Sequence, residues 1–344
     1  MAAWRSLMSK CHLLTLLIPL GGRTRYVLGL GAHFSKHPVA CTLVLALVLA
    51  VLSAFLPSYR LFLVGQLAVV IMVTVALTVL MGGAGLLALS SAAFMAFGAY
   101  GAVIAVINLQ LPVLVAIPLV VICGGLLGGI LGFVTLRMSG FYLAIATLGL
   151  LQVLLVGLKR GGTLTGGGYG LVVPPLTVPF LPPLTPEHWA VVSVALMVLI
   201  IGGSINLMRS RIGRAWLAGR DNEPAAQMQG ISVSHMKILA FAFSSAVISL
   251  AGVLHGFLLG VTNPNAYLVN LSIFHITLVV VGGMTGSLAG AVVSPVILYF
   301  LPEIFSALGE WRDFFYGTVL LLTLVFMPMG IASKLAPLLR RLRS

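Results

Sequence analysis

Runs of about twenty apolar residues recur from one end of this 344-residue chain to the other, divided by short polar stretches. The hydrocarbon core of a bilayer is about 30 Å thick and offers no partner to an open backbone, so a spanning helix needs roughly 20 apolar residues. Ten such segments can be placed, near 39–57, 61–81, 88–108, 112–136, 139–158, 189–208, 238–260, 269–284, 287–302 and 314–331. The eighth and ninth are short and joined by Gly282-Gly283-Met284-Thr285-Gly286, so they read as a broken or re-entrant pair. The expectation is an all-α polytopic membrane protein of about ten transmembrane helices, one or two segments being broken or re-entrant. Asp, Glu, Lys and Arg make up only 7% of the chain. Soluble domains carry about 25%, which excludes that class.

The cations fall between the apolar runs, and their distribution orients the chain. Arg5, Lys10, Arg23, Arg25 and Lys36 lie in the N-terminal tail, Arg137 after the fourth span, and Arg209, Arg211, Arg214, Arg220 and Lys237 in the loop 209–237. Lys334, Arg340, Arg341 and Arg343 follow residue 331. All of these fall on one side, leaving Arg60, Lys159, Arg160 and Arg312 for the other. The positive-inside bias puts both termini and the 209–237 loop in the cytoplasm. The net charge of +13 then reports membrane topology and calls for no nucleic-acid partner. Residues 1–38 read as a cytoplasmic tail with an interfacial run, Leu13 to Leu20, rather than a cleaved signal, since no small-x-small site follows closely. The domain expectation is a tail 1–38, a permease domain 39–331 and a basic cytoplasmic tail 332–344.

Gly124, Gly128 and Gly132 lie one turn apart, as do Gly125 and Gly129. Such stripes let helix backbones touch in lipid. Pro118, inside the same helix, is expected to bend it. The segment 159–188 is rich in Gly, Pro and Thr and reads as an irregular outer loop. No G-x-x-x-x-G-K-[ST] occurs anywhere, so any ATP must be hydrolysed by another chain. Cys11, Cys41 and Cys123 form no metal or disulfide pattern.

The loop 209–237 is a long polar, basic stretch between two apolar spans. Asp221 or Asn222 can cap a helix, Glu223 suits its positive end, Pro224 fits a first turn, and Gly230 can close it in a left-handed cap. The expected product is one short amphipathic helix preceded by a basic stretch, Arg209 to Arg220. Physics alone leaves two readings, a rigid interface element or a solvated connector.

Ser210-Arg211-Ile212-Gly213-Arg214-Ala215-Trp216 through Arg220-Asp221-Asn222-Glu223-Pro224-Ala225-Ala226 and Gly230 resembles the ATPase-docking loop of LivM-type branched-chain amino acid permeases, with the E-x-A-A-x-x-x-G spacing of importer permeases generally. Further pieces in the same order resemble that family: Ala92-Ala93-Phe94 with Gly98-Ala99-Tyr100, Arg137 through Ala144 with Ala146-Thr147-Leu148, Leu164-Thr165-Gly166-Gly167 with Tyr169-Gly170-Leu171, Lys237 to Phe241, Leu250-Ala251-Gly252, and Val281-Gly282-Gly283-Met284. Ser90-Ser91, Phe274-His275 and Pro224 depart from the family pattern and leave the substrate open.

The resemblance implies an ABC importer permease subunit in a bacterial inner membrane. It also implies a second homologous permease, two cytoplasmic ATPase subunits that bind ATP and Mg, and a periplasmic binding protein. No cofactor or catalytic residue is expected in this chain. The coupling loop would be Arg211, Gly213, Arg214, Arg220, Asp221, Asn222, Glu223, Ala225, Ala226 and Gly230. The expected cargo is a branched-chain or related amino acid, the alternatives being urea or a short amide.

Polar side chains inside spans are costly in lipid and face the protein interior or a cavity. Thr147, Gln152, Ser244, Ser245 and His275 are the candidate pathway residues, with His255 and Thr277 of the same kind. Each also has a plain reading as an interhelical hydrogen bonder. No carboxylate falls inside a span, and Glu303 lies only at an end. That argues against a stand-alone proton- or sodium-coupled carrier, and the lack of a paired nucleophile and base against an intramembrane enzyme. His255 and His275 lack a second ligand at metal spacing.

Overall fold

The computed structural model describes residues 57–138, 140–174, 185–283, 288–304 and 317–318. The first span near 39–57, nearly all of the tenth and both tails lie outside the described residues. The helices are α1 Ser58–Leu77, α2 Ser91–Ile107, α3 Val113–Val134, α4 Phe141–Arg160, α5 Pro186–Arg209, α6 Arg211–Asp221, α7 Glu223–Met228, α8 Val233–Leu259, α9 Val269–Gly282 and α10 Leu288–Ile304. Among the described residues, six segments are long and apolar enough to cross a membrane: Ser58–Gly83, Val113–Val134, Tyr142–Arg160, Pro186–Arg209, Val233–Leu259 and Pro264–Gly282. α2 and α10 are apolar but shorter.

α8 is the central post. At 27 residues it is about 40 Å long, and α1, α2, α3 and α5 all pack on it. The glycine stripe of α3 meets it as expected. A Cβ on Gly124 would strike the Ser249 side chain, one on Gly128 would strike Ser245, and one on Gly132 would come within 2.9 Å of Ile238 Cα. Glycine at these sites is what lets the two backbones touch. Away from this seam α3 turns Leu114, Ile122, Leu126, Ile130 and Phe133 outward, all exposed, a face suited to lipid. Pro118 sits within α3.

One end of the bundle carries α6 and α7 and is called the polar end here. The other carries a two-residue antiparallel ladder, Leu171–Val172 with Val261–Thr262. Residues 171–172 are thus tied to the end of α8 away from α6 and α7, and Tyr100 Oη donates to the Thr262 carbonyl at 3.2 Å.

The third apolar segment, expected near 88–108, is one helix over Ser91–Ile107, and the chain directly before it is not helical. α1 ends in a π-helical turn, Thr78–Gly83, and residues 85–90 are non-helical before α2 begins at Ser91. Gly82, Gly83 and Gly85 are poor helix formers, and Ser90-Ser91 offers hydroxyls that compete for backbone groups. Leu86, Ala88 and Ser90 are buried while Leu87 and Leu89 are less so, the alternation of extended chain. α2, at 17 residues, is about 25 Å long, shorter than a bilayer core of about 30 Å, and the extended segment adds to its length.

Candidate functional site: the polar unit and the α2 break

The polar unit consists of two helices where one was expected. The basic stretch 211–221 is itself helical. Its cap is Ser210, whose Oγ accepts from the Ile212 and Gly213 N–H groups at 3.2 and 3.5 Å. α6 turns back directly on the end of α5, and a Cβ on Gly213 would strike the Met208 backbone. The corner therefore needs glycine. Trp216 is buried, and its indole N–H donates to the Met236 carbonyl of α8 at 2.8 Å. Arg220 Nη1 donates to the Gly82 carbonyl in the π-helical turn. Arg214 Nη1 donates to the Arg209 carbonyl at 3.0 Å, so Arg214 lies on α6 and not on the helix that holds Glu223.

α7 follows the sequence expectation. Asn222, rather than Asp221, is the cap, its Oδ1 accepting from the Ala225 N–H at 3.1 Å. Asp221 is exposed at the end of α6. Pro224 occupies the first turn, and Gly230 has φ +79°. The left-handed closure lets the Ile231 N–H reach the Ala226 carbonyl at 3.1 Å. Glu223 and Lys237 form an ion pair, 2.9 Å, which anchors the start of α7 to α8. Ala226 is buried and Ala225 is not; Arg211, Pro224, Gln227 and Met228 are exposed, Met228 at 90%. The unit is thus locked on its inner side to α1 and α8 and presents a polar, partly apolar ridge outward.

The candidate pathway residues divide. Thr147 and His275 converge on the start of α2. The Leu89 N–H, in the extended segment, donates to Thr147 Oγ1 at 2.9 Å, and that hydroxyl stays near the Leu143 and Ala144 carbonyls at 3.0 and 2.9 Å. The Ala92 N–H donates to Ser272 Oγ at 3.0 Å. Ser91 Oγ lies 3.4 Å from His275 Nδ1. Thr147, Ser91, Ser272 and His275 are all buried.

The others serve elsewhere. Ser244 Oγ donates to the Ala76 carbonyl at 2.9 Å, stapling α8 to α1. Ser245 Oγ donates to the Phe241 carbonyl at 2.6 Å within the glycine seam. His255 Nδ1 meets Tyr267 Oη at 3.1 Å near the ladder, and Thr277 donates to the carbonyl one turn back. Gln152 is exposed on α4 and does not join the cluster. Sequence reasoning missed Ser272 and the Arg220–Gly82 contact. A serine in an apolar helix carries no local sign of which backbone it will meet.

Comparison with known proteins supplies the family. The sequence profile described as "Branched-chain amino acid transport system / permease component" matches residues 59–324. The high-affinity branched-chain amino acid transport system permease protein LivM of Escherichia coli is 28% identical over 323 residues, covering 87% of this chain and 76% of the relative. The corresponding LivH protein of E. coli is 32% identical over 149 residues, 42% of this chain and 46% of LivH. The autoinducer 2 import system permease protein LsrC of Yersinia enterocolitica is 29% identical over 199 residues, 56% of this chain and 53% of LsrC. No solved structure matches. With that profile covering most of its length, the chain is a multi-pass membrane protein of the branched-chain amino acid transport permease family.

Proposed function

We propose that this chain is a permease subunit of an ATP-driven importer for branched-chain or related amino acids, with the 209–237 unit as its ATPase-coupling element. The observation that carries the reading is the attachment of that unit. α6 and α7 are bonded inward to α1 through Arg220 and to α8 through Trp216 and the Glu223–Lys237 pair, while Pro224, Gln227 and Met228 face outward. A partner that moves this ridge moves two transmembrane helices with it. Arg211, Gly213, Arg214, Arg220, Asp221, Asn222, Glu223, Ala225, Ala226 and Gly230 are its coupling residues.

On this reading ATP and Mg are held by two cytoplasmic ATPases and cargo arrives from a periplasmic binding protein. A second permease completes the pore, the similarity to both LivM and LivH being in keeping with a pair of related subunits. The remaining apolar runs, 39–57 and 314–331, bring the spans to about ten, with both termini in the cytoplasm of a bacterial inner membrane. Cargo other than an amino acid is the second reading, supported by the similarity to LsrC.

The test is uptake and ATP hydrolysis in proteoliposomes holding the complete complex. Wild type should import leucine, and Arg220→Ala should keep most ATP hydrolysis while losing at least tenfold in uptake. Equal uptake by this variant would refute the coupling role. For orientation, Tyr169→Cys (Tyr169 is 96% exposed) should label from outside and Met228→Cys only after permeabilisation. Labelling of both from one side would overturn the topology.

A further inference from the structure

α2 begins inside the helix bundle, where Ser91 and Ala92 are buried. A Cβ on Gly252 of α8 would strike the Met95 backbone of α2, and one on Gly256 would come within 3.3 Å of Ala99. With a Cβ on Gly98 also striking the Ser249 backbone, the two helices run side by side in a register that sets Ser91 level with residues 242–248, around the middle of the 27-residue α8. The first-turn N–H groups of a helix have no carbonyl within it to bond and carry the positive end of its dipole. At the middle of a bilayer there is no water to satisfy them. Ser272 takes the Ala92 N–H; Ser91 and Ala93 belong to the same turn.

His275 stands at this turn. Its Nδ1 is 3.4 Å from Ser91 Oγ, the residue is fully buried, and its Nε2 has no hydrogen-bond partner among the described residues. With the Ser91 hydroxyl donating to Nδ1, the neutral imidazole carries its proton on Nε2. In that tautomer a buried donor without a partner among the described residues stands beside the positive end of α2. Leaving such a donor unpaired in a dry interior is costly.

We propose that the first turn of α2, with Ser91, Ser272 and His275 Nε2, is a transient docking site for the carboxylate of an amino-acid substrate during its passage. A carboxylate supplies the missing acceptor and suits the positive helix end, the device by which discontinuous helices hold anionic groups at the bilayer midplane. The site is closed in this arrangement, and substrate reaches it when α9 moves off α2. Urea and amides lack the anionic group. The inference rests on the amino-acid import reading above.

Two measurements on the complete complex test it. Ser91→Cys, in a background without other cysteines, is alkylated by a small thiol reagent during turnover. Leucine should slow that reaction at least threefold, with leucinamide and urea having no effect. His275→Leu should lower leucine uptake at least tenfold, and His275→Gln, which keeps a donor, should restore much of it. Equal protection by leucinamide, or none by leucine in a complex that imports it, overturns the site. So does full uptake by His275→Leu. If wild type does not import leucine, the amino-acid reading fails by itself. In that case protection by another carboxylate, such as acetate, still upholds the site, and protection by none rejects it.

Discussion

The polar unit and the α2 break solve the same problem over different distances. Both contain helix ends whose N–H groups need acceptors. In the polar unit the helix caps are near neighbours: Ser210 serves Ile212 and Gly213, Asn222 serves Ala225, and Glu223 pairs with Lys237 fourteen residues on. At the α2 break, Thr147 serves Leu89 across 58 residues and Ser272 serves Ala92 across 180. Water can replace a lost cap at an exposed helix end, but nothing in the apolar bundle can replace Thr147 or Ser272. The break should therefore be the less forgiving of the two, and the polar unit the part that tolerates the loss of a cap.

That contrast can be broken experimentally. The largest effect is expected from Thr147→Val combined with Ser272→Ala, which strands two buried N–H groups at about 1–3 kcal/mol each. The measurement is thermal unfolding of the solubilised permease, and a loss no larger than that from a single exposed cap would erase the distinction. Next comes Asn222→Ala, with about 1 kcal/mol from the lost α7 cap. This loss should appear in local hydrogen exchange across 223–229 and leave the bundle unchanged. Gly230→Ala forces a Cβ into a left-handed turn and should destabilise α7 by somewhat more than about 0.4–1 kcal/mol. The same exchange measurement would show it, and slower exchange would contradict the cap geometry. The smallest effect belongs to Glu223→Gln. The carboxylate is half exposed, so the pair contributes about 0.2–1 kcal/mol and fades with salt. A large, salt-insensitive loss there would show that α7 depends on more than its local contacts.

The same distances explain what could be read from the residues in order. Asn222 and Gly230 were legible as the two ends of a helix because caps act within four residues of the groups they satisfy. The α3 stripe was legible because glycines spaced by one turn must share a face, and α8 with its serines and alanines proved to be the surface they meet. α6 was misread as a basic stretch: its arginines dominate the sequence, while its helix depends on Trp216 finding the Met236 carbonyl and Gly213 fitting against α5. Of the candidate pathway residues, Thr147 and His275 stand out in the sequence for being polar and in a span. Gln152 stands out on the same ground and lies exposed.

Hydropathy and charge by themselves determined that this chain lives in a membrane as helices, since the cost of an unpaired backbone in hydrocarbon leaves an α-rich chain no other choice. They also determined where its polar unit falls. Only the tertiary structure decided that the chain leading into α2 runs extended up to Ser90 and which distant hydroxyls make that tolerable. A hydrogen bond from a helix end to another helix is specified by how the helices pack, and a serine or histidine in an apolar run looks the same in sequence whichever neighbour it meets.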